Sequence, residues 1–327
     1  ATILVKKTPF TDAEIEAFEN WVRDVELIEL VTPHRISDDR LSGVLEADSI
    51  EDYASAYPFD ISPPTDDHPF FGHYFKWNQT GDVLDSLGRT WQPFGGAGYL
   101  VLVAFLILAT LSACILIVAP LAVRRHRGGL AAPPGMRWWT VAYFGSLGLA
   151  FLLVEIPLVQ LYILLVGEAT TAFAVVLFAV LLTSGLGSMF SPRVSWRAGA
   201  TMLAVAAVLY PFLIRMLTAG ALSAPQWFRI AIGAAAIAPL GFLMGIMFPR
   251  GISHLERRAP QLVPWAWGIN GTSSVISAVL AALLALAYGF TAVLLVGAAC
   301  YGLAGLLAVT ADRSLLSSGE RNEQDAA

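Results

Sequence analysis

The chain has 327 residues, 56% of them hydrophobic and only 14% charged, and its mean hydropathy of +0.65 excludes an ordinary water-soluble domain over most of its length. Charge is unevenly placed: residues 1–97 hold 7 Lys and Arg against 18 Asp and Glu, a net of −11, which leaves +6 for the remainder within an overall −5. Two regions in two solvents follow, one acidic and aqueous, the other apolar with basic loops.

The chain opens on Thr2-Ile3-Leu4-Val5, a short apolar run that reads as a buried strand. A helix from Thr11 to about Val25 is predicted next, because Thr11 and Glu14 stand at the capping-box spacing that satisfies two amides at a helix start. Residues 27–31 read as a second strand, closed by Thr32-Pro33. One strand, helix, strand unit buries too little apolar surface to stand alone, so residues 1–60 are read as the trailing edge of a larger α/β domain.

Residues 61–97 read as an acidic and aromatic linker around Thr65-Asp66-Asp67-His68-Pro69-Phe70-Phe71. Asp66, Asp67, His68 and His73 form its candidate site, since two carboxylates and two imidazoles suit a divalent metal or the ammonium groups of a polyamine. Neighbouring Asp side chains in an extended, Pro-flanked loop point apart, however. Turn-and-cap chemistry and docking therefore stand beside cation binding, and no metal site is assigned. Phe70, Phe71, Tyr74, Phe75 and Trp77 are read as anchoring the loop to the membrane surface or to an upstream domain.

From Gly98 onward the apolar runs approach or exceed the roughly 20 residues that cross a hydrocarbon core of about 30 Å. Seven crossings are predicted, at 98–123, 138–165, 170–190, 199–218, 228–248, 264–287 and 290–310, with Tyr288-Gly289 as a tight turn and 311–327 as a disordered polar tail. Trp91, Trp138, Trp139, Trp196, Trp227 and Trp265 stand at run ends, where amphipathic rings favour the headgroup layer. Arg124, Arg125, Arg127, Arg137, Arg193, Arg197, Arg250, Arg257, Arg258 and Arg313 all fall in alternate loops, which makes those loops and the C-terminus cytoplasmic and sets the N-terminal segment on the other side. A re-entrant segment at 264–277 would reverse that last assignment. Cys114 and Cys300 lie in apolar runs and read as core or lipid-facing residues.

Within the membrane Glu155 is the sharpest candidate, because an unpaired charge at the bilayer centre costs at least about 2.5 kcal/mol. It needs a proton or a partner, and Gln160 and Asn270 are the partners nominated. A packing role and a proton-relay or cation site both stand. Asn270, Ser273, Ser274 and Ser277 share a helical stripe by their three- and four-residue spacing, which glues helices together or, through Asn270 and Ser274, lines a solute path. Gly185, Gly187, Gly241 and Gly245 read as close-packing positions, and 244–249 as a helix end before basic residues. No nucleic-acid-binding patch, phosphate loop, zinc motif or Ser-His-Asp arrangement is present, and no catalytic residue is assigned.

Several stretches together resemble the membrane-integrated spermidine synthase-like proteins of bacteria, in which a methyltransferase-type Rossmann domain is fused to transmembrane helices. They are Thr2 to Thr11; Pro63 to Phe71; Leu153-Val154-Glu155-Ile156-Pro157-Leu158-Val159-Gln160; Ser184-Gly185-Leu186-Gly187-Ser188; Met244-Gly245-Ile246-Met247-Phe248-Pro249-Arg250-Gly251; and Trp265 to Val275. The resemblance implies a mainly α fold, a polytopic helical bundle preceded by a small α/β segment that is the end of a Rossmann-like domain. It also implies that the Gly-rich loop for an S-adenosylmethionine-type cofactor and the acidic catalytic residues lie upstream of Ala1. This chain is then the membrane part of an aminopropyltransferase-like or methyltransferase-like protein, in the lipid bilayer of a bacterial plasma membrane, with a polyamine or other small cation as its solute. A transporter or channel-like protein for such a solute is the second class of function.

Overall fold

An apolar run that leaves water must satisfy its own backbone hydrogen bonds, and the α-helix does so within one segment. In the computed structural model, which describes residues 3–70, 72–74, 76–85, 98–120, 123 and 132–324, ten helices follow one another. They are α1 (Asp12–Asp24), α2 (Asp39–Leu45), α3 (Ile50–Ala56), α4 (Thr80–Asp85), α5 (Gly98–Ala113), α6 (Pro134–Val166), α7 (Ala169–Phe190), α8 (Trp196–Ala221), α9 (Gln226–Arg258) and α10 (Val263–Gln324). The chain divides into two units, Ala1–Pro63 with Tyr74–Gly81, and Pro64–His73 with Asp82–Ala327.

In the first unit α1 begins where the sequence predicts. The Thr11 hydroxyl accepts from the Glu14 amide (3.4 Å) and the Thr11 amide donates to the Glu14 carboxylate (2.9 Å), which closes the capping box. Lys76 caps the far end of α3, its Nζ donating to the carbonyls of Ser55 (2.9 Å) and Tyr57 (2.6 Å). The strands expected over 2–5 and 27–31 do not form: among the described residues there is no strand, only isolated bridges such as Val31 to Ile36. A strand needs a neighbour for its amides and carbonyls along its length, and over 27–31 only Leu30 and Val31 meet one, at Ser37 and Ile36. Ile3 is 83% exposed, Val5 88% and Ile28 87%. The small α/β segment is thus replaced here by helices and extended chain.

The second unit is a mainly α bundle containing six helices long and apolar enough to cross a membrane: Gly98–Leu116, Pro134–Val166, Ala169–Arg193, Trp196–Ala221, Gln226–Arg258 and Pro260–Ala311. The last contains two of the seven predicted crossings. At 1.5 Å per residue its 52 residues would reach about twice across a bilayer, and the chain turns at Gly289, whose φ of 83° is open to glycine. Contacts fix the reversal. The first part, α10a (263–288), runs parallel to α6, with Asn270 beside Phe144 and Ser277 beside Leu149. The second, α10b (290–324), runs antiparallel to it, with Gly297 beside Leu153 and Leu307 bonded to Trp139. The same helix runs on to Gln324, within the stretch 311–327 read from sequence as a polar tail, whose last three residues lie outside the described ones.

Every other pairing agrees with strict alternation. α9 is antiparallel to α6, since the Arg229 guanidinium donates to the Leu165 carbonyl and the Tyr143 hydroxyl to that of Met247. α8 is parallel to α6, through Trp196 with Tyr143 at one end and Tyr162 with Tyr210 towards the other. α6 is the central helix: 56% of its apolar window is buried, against 11% for the first crossing. The re-entrant alternative at 264–277 is not adopted, because the segment is continuous helix bonded along α6. Nor does α9 end near Pro249. It runs to Arg258, held by the buried Met247, Gly251, His254 and Leu255.

Alternation gives the bundle two unlike ends. Arg137, Arg193, Arg197, Arg250, Arg257 and Arg258 gather at the basic end, while Gly167, Gly289 and the 64–73 loop lie at the other, the loop end. Trp138 (74% exposed) and Trp227 (70%) face outward as interface residues do, whereas Trp196 is buried against Tyr143 and His254. Trp91, Phe71, Phe75, Arg124, Arg125 and Arg127 lie outside the described residues.

Candidate functional site

Three of the polar or glycine-rich stretches picked out in the sequence meet in one place. A cleft of about 520 Å³ is lined by Leu147, Phe151 and Leu152 of α6, Leu181, Ser184, Gly185 and Ser188 of α7, Met244, Gly245, Phe248 and Pro249 of α9, Asn270 and Ser274 of α10a, and Tyr301 of α10b. Its walls are mostly apolar. The exceptions are the serines, the Asn270 amide and the Tyr301 hydroxyl, the few-polar-groups pattern of a small-molecule site.

The stripe on α10a bonds to its neighbour helix, the first of the two alternatives read from sequence. Asn270 Nδ2 donates to the Phe144 carbonyl (3.3 Å), Ser274 Oγ lies 3.1 Å from that of Gly148, and Ser277 Oγ donates to that of Leu149 (2.6 Å). Helix-to-backbone bonds of this kind hold membrane helices together. Asn270 and Ser274 also face the cleft. The glycines likewise divide. A Cβ on Gly187 would overlap the Phe242 carbonyl and one on Gly245 that of Ser184, so α7 and α9 touch backbone to backbone; Gly185 meets nothing and opens onto the cleft.

Glu155 is 6% exposed and makes no hydrogen bond or ion pair with any described residue. It lies three and four residues beyond Leu152 and Phe151, on the face of α6 that lines the cleft, and within electrostatic reach of Tyr301. Neither nominated partner reaches it: Asn270 is bonded to Phe144, and Gln160 is exposed on the outer side of α6.

No family model matches this chain, and no curated protein or solved structure is similar to it.

The loop constellation is not one cluster. Asp67 Oδ1 accepts from the Thr291 amide (3.0 Å) and from the Thr291 hydroxyl, with Arg215 Nη2 at 3.4 Å. The Asp67 carbonyl accepts from the Phe290 amide (2.9 Å). Asp67 therefore caps the start of α10b, where free amides and the helix dipole favour a carboxylate. His68 Nε2 meets the Leu286 carbonyl (2.7 Å), and the Phe70 ring packs on Phe290. Asp66 points into the open, and His73 packs edge-on against Tyr99. Among the described residues no three His, Cys, Asp or Glu side chains gather as a metal would require. Sequence reasoning missed Tyr301, Ser184 and Ser188 as lining residues and Arg215 as the Asp67 partner. The last had a signal, since an arginine in an apolar helix calls for a carboxylate.

Proposed function

We propose that the helical unit is the substrate-handling membrane domain of a spermidine synthase-like protein, and that it takes a small cationic solute, a polyamine or related amine, into the cleft. The observation that carries this reading is convergence. Ser184 to Ser188, Met244 to Pro249 and Asn270 to Ser274 belong to three of the stretches on which the resemblance rests, and all three line one cleft. An anchor alone has no use for polar groups gathered around a cleft between five helical segments. The chemistry suits an ammonium group: Phe151, Phe248 and Tyr301 offer aromatic faces, and the serines and Asn270 offer oxygen acceptors.

On this reading the cofactor chemistry belongs to the Rossmann-like domain that the resemblance implies upstream, and the helices hold and orient its substrate. The bundle sits in a bacterial plasma membrane with the basic end and the C-terminus cytoplasmic, as the gathering of arginines there supports. A carboxyl at mid-depth, Glu155, favours a second reading in which the bundle moves the solute across the membrane.

Full-length chain in lipid nanodiscs, titrated with radiolabelled spermidine, tests the first reading. Wild type binds saturably, and Ser188→Phe, which fills the cleft, weakens binding by about tenfold or more, equivalent to about 1.4 kcal/mol. Absence of saturable binding, or equal binding by Ser188→Phe, contradicts it. Uptake into proteoliposomes by the same preparation separates transport from handling.

A further inference from the structure

Glu155 lies 11 residues from Val166, the nearer end of α6, about 16 Å at 1.5 Å per residue, whereas every arginine of the crossings lies nearer an end. Glu155 is 6% exposed, makes no hydrogen bond or ion pair with any described residue, and follows the cleft-lining Phe151 and Leu152 by one helical turn. An ion entering a low-dielectric cleft needs a counter-charge, and among the described residues of the crossings the other carboxylates, Glu168 and Glu256, lie near helix ends.

The groups that face it are few. From α10b come the Tyr301 hydroxyl and, beside it, the Cys300 thiol. On α6 itself the Tyr162 hydroxyl lies two turns further on, bonded to Tyr210 of α8 and to the Gly233 carbonyl of α9. α7 and α10a contribute no ionisable side chain at this depth. The charged groups lie at the ends: Asp67 and Arg215 paired with each other, Arg229 on the Leu165 carbonyl, and Arg137, Arg197, Arg250 and His254 at the basic end.

Resting on the reading of the cleft as a cation site, we infer that binding there is proton-coupled: Glu155 holds a proton while the cleft is empty and releases it to water when a cationic solute enters. The exchange balances. The O–H bond of the carboxyl group breaks, the proton leaves, and the carboxylate pairs with one ammonium group of the solute, which offsets one of its positive charges.

Calorimetric titration of the nanodisc-held full chain with spermidine, repeated in buffers of different ionisation enthalpy between about pH 6 and 8, counts the protons. Wild type releases about one proton per spermidine bound, and Glu155→Gln, an isosteric change, abolishes the release and flattens the pH dependence of binding. Glu155→Asp, which keeps the carboxyl group, retains the release. Saturable binding without proton release by wild type, or undiminished release by Glu155→Gln, overturns this inference and leaves the cleft reading standing. Absence of any saturable binding overturns both.

Discussion

Asp67 and Glu14 are both carboxylates at helix starts, one reaching across the fold and the other local. Glu14 is three residues from its partner Thr11, a spacing fixed by helix geometry. Asp67 accepts from the Thr291 amide 224 residues later, a pairing no local pattern encodes. Replacing Asp67 by Ala leaves the Thr291 amide without its acceptor and Arg215 without its ion-pair partner. We expect a loss of about 1–2 kcal/mol, read as a lower melting temperature in detergent and faster hydrogen exchange at Thr291, with Asp67→Asn losing less because it can still cap. Glu14 offers a pH test. The Lys6 ammonium and the Thr11 amide pull its carboxyl down to about 2. Because this value is depressed from the ordinary carboxylate range near 4.3, the stabilisation of α1 is complete above that range and is lost as pH falls through about 2. Side-chain NMR titration should place the Glu14 midpoint near 2 and return it toward 4.3 in Lys6→Met, Lys6 being the largest influence. Glu155 was legible as an oddity through its depth alone. Its neighbour Tyr301 was not, since a tyrosine in an apolar run carries no signal of the helix it will face.

At the scale of elements the long apolar runs were nearly self-evident, because length and hydropathy alone decide what crosses hydrocarbon. The strands were misread for a related reason: a short apolar run says that a residue prefers company and not whether a partner strand exists. The close approach of α7 and α9 rests on Gly187 and Gly245, each facing the other helix's backbone. Gly187→Ala and Gly245→Ala should each destabilise the bundle by about 1–3 kcal/mol through overpacking. Gly185→Ala, with nothing within 4 Å of its added carbon, should leave the melting temperature unchanged and serves as the control. Gly289 joins two demands, a positive φ and the nearness of Asp67, so Gly289→Ala should both strain the turn and push the 64–73 loop away. Accelerated proteolysis within that loop would report it.

For the whole molecule, alternation of direction from α6 through α10b follows from contacts alone, without reference to lipid, and it sorts six of the described arginines to one end, with Arg215 and Arg229 at the other. Composition predicts seven crossings, and contacts show α6 to α10b alternating, with the 64–73 loop and the α9–α10 junction at opposite ends. Replacing Cys114 and Cys300 by Ala and introducing one cysteine at a time at the exposed Asp66 or Gln261 tests this directly in sealed membrane vesicles. A membrane-impermeant maleimide should label Asp66→Cys from one side only and Gln261→Cys from the other only, while Phe178→Cys, mid-helix on the outer face of α7, stays unlabelled from both. Labelling of the first two from the same side, or ready labelling of the third, would contradict the seven-crossing bundle and with it the mid-depth placing of the cleft and Glu155.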